Sequence, residues 1–162
     1  MPKTSSGTRT DYAGAVYGSI LAASVVATAG TAGPFPRIEL VLLLLITGVV
    51  FWAAHIYARL AGERLLSRPV TREEVRRVAA SEWPIVKVAV PPAVAVAISP
   101  LFGLGMAGTT WCALIVALIE QVGWATVPVV RGGATVRVVV LNAVVNLLLG
   151  AVIVLAKLVL AH

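Results

Sequence analysis

The chain has 162 residues, 59% of them hydrophobic and 12% charged, with a formal net charge of +6 and a single cysteine. Soluble domains carry about 25% charged residues, so this composition excludes an ordinary soluble fold, and the length leaves no room for a second domain beside several membrane spans. One cysteine, Cys112, excludes an internal disulfide and dithiol redox chemistry; the positive charge is gathered beside apolar runs, which fits membrane orientation and argues against a nucleic-acid partner.

Residues 1–11 are polar and are expected to be disordered. A first span is expected over 12–30, a Gly- and Ala-rich run in which Gly14, Gly18 and Ala22 share one helical face suited to close helix contact. A secretory leader ending at Ala27-Thr28-Ala29 is the alternative, disfavoured by Tyr17 and the two glycines inside the run. Gly33-Pro34-Phe35-Pro36 predicts a tight turn. The second span, 38–60, is long enough to cross a bilayer, which takes roughly 20 residues.

A basic segment follows. Thr71-Arg72-Glu73-Glu74 reads as a capping box opening a short amphipathic helix over 72–82. Its apolar side is Val75, Val78 and Ala79, and Arg72, Arg76 and Arg77 are expected to reach lipid headgroups. Glu73, Glu74 and Glu82 read as a solvated face balancing nearby arginines, with a cation gathered by their hard oxygen ligands as the alternative. The third span, 83–102, contains Pro91 and Pro92, which donate no backbone hydrogen bonds and predict a kink or local unwinding. The fourth and fifth spans are expected over 109–130 and 138–160.

With the amino terminus inside, eleven of the 13 Lys and Arg residues fall on the cytoplasmic side, leaving Arg37 and Lys157 outside. The positive-inside rule then puts the amino terminus in the cytoplasm and the carboxyl terminus outside, in an inner (plasma) membrane. The fold class is an all-α membrane protein of five transmembrane helices with a short amphipathic cytoplasmic helix between the second and third.

An ionisable residue at membrane depth costs about 2.5–3.5 kcal/mol and asks for a reason. Glu120 lies roughly 15 Å from Arg131 along a helix, near mid-bilayer. Asn146 falls at a similar depth, Asn142 one turn below it, Ser19 and Ser24 of the first helix bracket that level, and His55 lies nearer the cytoplasmic end. These residues are candidates for an ion or proton path, with Glu120 as the protonatable group, the asparagines as oxygen ligands and His55 as a proton or metal group. The plainer reading is a protonated Glu120 hydrogen-bonded across helices. No Ser/His/Asp or Cys/His set, HExxH, P-loop or cysteine cluster occurs, so neither an enzyme nor a cofactor is expected, and a resident metal is left open.

Ala15-Val16-Tyr17-Gly18, Ala54-His55-Ile56-Tyr57 with Glu63, and the segment from Arg137 to Gly150 resemble parts of the first, second and last helices of the vacuolar iron transporter family. The resemblance implies five helices, a cytoplasmic amino terminus and insertion, and a homodimer. Leu21 stands where that family carries its membrane aspartate, and Ile56 where it carries a glutamate. The expected function is a small proton or cation transporter or channel working through Glu120. The alternative is a non-transporting scaffold or accessory subunit that binds membrane lipid or a partner through its basic segment.

Overall fold

The structure, a computed structural model, describes residues 6–29, 36–63 and 70–160. They form helices α1 (Ser6–Thr28), α2 (Pro36–Glu63), α3 (Arg72–Glu82), α4 (Pro84–Lys87), α5 (Val90–Ile98), a 3-10 turn (Ser99–Phe102), α6 (Met106–Arg131) and α7 (Val136–Leu160). Among the described residues there is no strand. Four helical stretches are long and apolar enough to cross a membrane: Pro36–Gly62, Arg72–Phe102, Met106–Arg131 and Val136–Val159. A fifth apolar stretch, Tyr12–Thr28, is shorter. Residues 33–35 of the expected turn, and Arg64 and Arg68 of the basic segment, lie outside the described residues.

The shortest apolar helix is the central one. α1 packs against α2, α3, α4, α6 and α7. Its Ala15, Ala22, Ala23 and Val26 are buried, as are Ala113, Leu114 and Ala117 of α6. Small side chains let two helix axes approach closely, and the same small side chains dilute the hydropathy of α1. α1 is thus the element on which the four longer apolar stretches converge. Polar residues 6–11 extend α1 where disorder is expected: once a buried segment has nucleated a helix, adding a turn to its end costs little.

Beyond Val25, Lys157 of α7 donates to the Val26 carbonyl at 3.4 Å and lies 5.9 Å from the Trp111 ring centre. A cation among the last carbonyls of a helix is favourable, which gives this lysine a place in an otherwise apolar helix end.

The second departure from expectation is the third span. α3, α4, α5 and the 3-10 turn run as one helical rod of 31 residues, Arg72–Phe102. Trp83, Val88 and Ala89, between its pieces, all keep right-handed helical angles. The prolines give no N–H to the carbonyls one turn back, and the α-helical pattern is interrupted just before them at Val88 and Ala89, where Ala89 N–H makes a 3-10-type bond to the Val86 carbonyl, 3.1 Å. α2 runs antiparallel along this whole rod. Arg37 donates to the Leu104 carbonyl at 2.6 Å, the Cα of Gly48 backs onto Ala89, and the Trp52 indole donates to the Ala79 carbonyl at 2.9 Å. α3 therefore does not stand apart from the third apolar stretch as a separate helix. It prolongs the third span and leans on the last turns of α2.

Candidate functional site

At the basic end of the bundle, Glu82 closes α3 with its side chain only 4% exposed. Its Oε1 accepts from Arg59 Nη1 at 2.6 Å, and its Oε2 lies 3.6 Å from His55 Nδ1. His55 and Arg59 are four residues apart on α2, so both project from one face toward the rod. Arg59 Nη1 also donates to Ser81 Oγ at 3.3 Å. On the far side, Gly14 of α1 comes close enough that a Cβ there would stand 3.7 Å from Glu82 Oε2. The Tyr17 ring lies 5.0 Å from His55, and Trp52 packs edge-on against Trp83 at 5.4 Å. A buried carboxylate is costly unless a hydrogen-bonded cation faces it, and a charge-assisted pair of this length is among the stronger polar contacts. The group thus clasps α1, α2 and α3 together.

This corrects the reading of Glu82 as part of a solvated face. The signal was in the sequence: Val75, Val78 and Glu82 fall at i, i+3 and i+7, so the apolar stripe of α3 runs straight into the carboxylate. Glu73 remains exposed. His55, expected on a path toward Glu120, is instead engaged with Glu82. Among the described residues no group of three or more His, Cys, Asp or Glu side chains is placed to hold a metal ion.

The mid-height polar residues do not converge on Glu120. Asn142 Nδ2 donates to the Ala125 carbonyl at 2.9 Å and Asn146 Nδ2 to the Asn142 carbonyl at 2.9 Å. Ser19 Oγ donates to the Val16 carbonyl in its own helix at 2.8 Å. The side chain that meets Asn146 is Gln121, fully buried, whose Nε2 donates to the Asn146 carbonyl at 3.1 Å. Its Oε1 is enclosed without a partner, as is Glu120 Oε2. The cause is helical phase. At roughly 100° per residue, Glu120 points about 140° around α6 from Ala125, where Asn142 docks, so carboxyl and amides occupy different flanks. Gln121 was missed because it is uncharged, although the run Ala113, Ala117, Gln121, Ala125 marks the buried seam of α6.

Gly14, Gly18 and Ala22 face inward, and the two glycines are covered by α4: a Cβ on Gly18 would stand 2.5 Å from Val88 Cγ2 and 3.0 Å from the Ile85 carbonyl oxygen. That face is occupied within the chain and is not free for a second copy. Arg72, Arg76 and Arg77 are exposed, and Arg77 approaches Glu74 at 3.9 Å. Tyr12, Val16 and Ile20 of α1, Trp124 of α6, and Asn142 and Asn146 of α7 line an open groove of about 440 Å³. Glu120 does not line it.

No protein-family model matches this chain, and neither a curated protein nor a solved structure matches it.

Proposed function

We propose that the protein is a membrane-embedded accessory subunit that does not itself transport, and that its basic helical hairpin, the ends of α2 and α3, docks an acidic surface of a soluble partner. In this reading all five apolar helices span an inner membrane with the amino terminus in the cytoplasm, as the distribution of basic residues favours. The observation that carries the proposal is the buried Glu82 held by Arg59, with His55 beside it, because it fixes α3 on α2 while Arg72, Arg76 and Arg77 stay exposed. α3 has 11 residues, so its start stands roughly 16 Å beyond Trp83. Arg76 and Arg77 stand roughly 9–11 Å beyond it, so the three arginines lie about one to two Debye lengths out at physiological salt, which favours a partner in the aqueous phase over headgroups.

The test is binding of a fluorescent polyglutamate peptide to the purified protein, read by anisotropy. Wild-type binding is expected to weaken with salt. Replacing Arg72, Arg76 and Arg77 together by alanine is expected to weaken it about 10- to 100-fold, from roughly 0.5–1 kcal/mol per exposed charge, while Arg137→Ala leaves it unchanged. Equal affinity of the triple variant and wild type would contradict the docking role.

The transport reading keeps one supporting observation, the Glu120 oxygen enclosed without a partner. Of the other proposed path residues, Ser19, Asn142 and Asn146 each donate to a backbone carbonyl and His55 lies beside Glu82, so none supports a path through Glu120. The resemblance to vacuolar iron transporters supports the helix count and orientation, and Leu21 and Ile56 leave its acidic sites unmatched.

A further inference from the structure

We infer that the groove between α1 and α7 holds one anionic glycerophospholipid, with the phosphate at Arg131 and an acyl chain running along Val16 and Ile20. The inference rests on the membrane-embedded reading but not on the docking role of α3.

At the far end of the bundle Lys157 of α7 reaches the Val26 carbonyl of α1. Toward the basic end the two helices part, and Trp124 and Pro128 of α6 form the floor between them. The wall of the groove is graded in polarity along the axis. At the mouth, the Tyr12 and Trp124 rings pack at 6.1 Å, and Arg131 Nη1 donates to the Tyr12 hydroxyl at 3.1 Å. This is the pairing of aromatic rings with a cation found where headgroups meet the hydrocarbon layer. Arg137, in the first turn of α7, adds a second exposed cation nearby.

Roughly 9 Å further up α7 lies Asn142, and roughly 15 Å up lies Asn146, counted from Val136. Each amide gives one N–H to a backbone carbonyl and retains a second. The first of these depths is where the ester carbonyls of a glycerophospholipid come to lie below a phosphate bound at the mouth, since the interfacial layer is roughly 5–8 Å thick. Facing these amides at the same heights, Val16 and Ile20 of α1 make the opposite wall aliphatic. An acceptor-bearing, singly anionic, chain-carrying molecule matches this sequence of cation, amide donor and apolar wall. A bare acyl chain leaves the amide donors unmatched, and a zwitterionic headgroup sets its own cation against Arg131.

The experiment uses the full chain purified in neutral detergent, stripped of lipid and mixed with dioleoylphosphatidylglycerol or dioleoylphosphatidylcholine. Retained lipid is counted by native mass spectrometry and thermal stability is followed in parallel. One phosphatidylglycerol is expected per chain, retained about fivefold better than phosphatidylcholine, with a raised Tm. Arg131→Ala is expected to remove the preference. Val16→Trp, which fills the groove and leaves the polar groups intact, is expected to remove the bound lipid. Arg76→Ala is expected to change neither. Equal retention of the two lipids by the wild type, or undiminished retention by Val16→Trp, would overturn the assignment. So would a dimer that Val16→Trp converts to monomer, since a second copy would then occupy the groove. A chain soluble without detergent would instead contradict the membrane reading, a separate failure.

Discussion

Arg59→Leu is expected to destabilise the protein by about 3 kcal/mol, and to cost more than Glu82→Leu. The two variants break the same 2.6 Å contact, but they leave different groups behind. Without Arg59, the Glu82 carboxylate stays 4% exposed among α1, α2 and α3 with only His55 nearby. Stranding one member of a buried pair costs about 3–5 kcal/mol. Without Glu82, the Arg59 side chain, 39% exposed, swings into water, and a loss of about 1.5 kcal/mol is expected, that of one charge-assisted hydrogen bond. Thermal unfolding in detergent measures both. At roughly 2–4 °C per kcal/mol for a chain of this size, the Tm of Arg59→Leu is expected to fall by roughly 6–12 °C. The double variant is expected to be more stable than Arg59→Leu alone, because removing the stranded carboxylate relieves its desolvation. Equal losses in the two single variants would mean that Glu82 is better hydrated than its packing implies.

The second large effect is expected at Gly18. α1 approaches α4 so closely there that even alanine meets Val88 Cγ2 at 2.5 Å and the Ile85 backbone at 3.0–3.1 Å. Val88 has one stiff side-chain torsion, and the Ile85 backbone belongs to a packed helix, so neither yields cheaply. Gly18→Ala is expected to cost about 1–3 kcal/mol, the usual range for overpacking. Gly18→Leu is expected to separate α1 from α4 and leave no monodisperse folded protein in size-exclusion chromatography. Gly62→Ala is the matched control: nothing lies within 4 Å of a Cβ built there, and alanine favours the helix by about 1 kcal/mol. If Gly18→Ala and Gly62→Ala behaved alike, the close α1–α4 contact would be wrong.

What the sequence made legible was local or periodic. The start of α3 could be read because a cap is a contact between near neighbours, and Thr71 Oγ1 does accept from the Glu74 N–H at 3.3 Å. The long apolar runs could be read because bilayer thickness sets one length for all of them. What could not be read was rotation about each helix axis. The distance between Glu120 and Asn146 from their helix ends is a matter of counting, but whether they meet depends on which flank of α6 receives α7. The structure gives that flank to Ala125 and Gln121. Charge was a poor guide to burial for the same reason. Glu82 looked solvated beside three arginines, yet its stripe on α3 faces α2, and the arginine that matters to it comes from another helix. Likewise, the low hydropathy of α1 reads as weakness until its small side chains are seen to be what admits four neighbours to its surface.

The measurement that tests the central claim most directly is proton and monovalent-cation flux in proteoliposomes, for the wild type and for Glu120→Gln, with protein-free vesicles as reference. A subunit that only anchors and docks is expected to give flux indistinguishable from empty vesicles in both cases. Flux above that reference in the wild type, abolished by Glu120→Gln, would contradict the account and make the unpartnered carboxyl of α6 the working residue of a transporter.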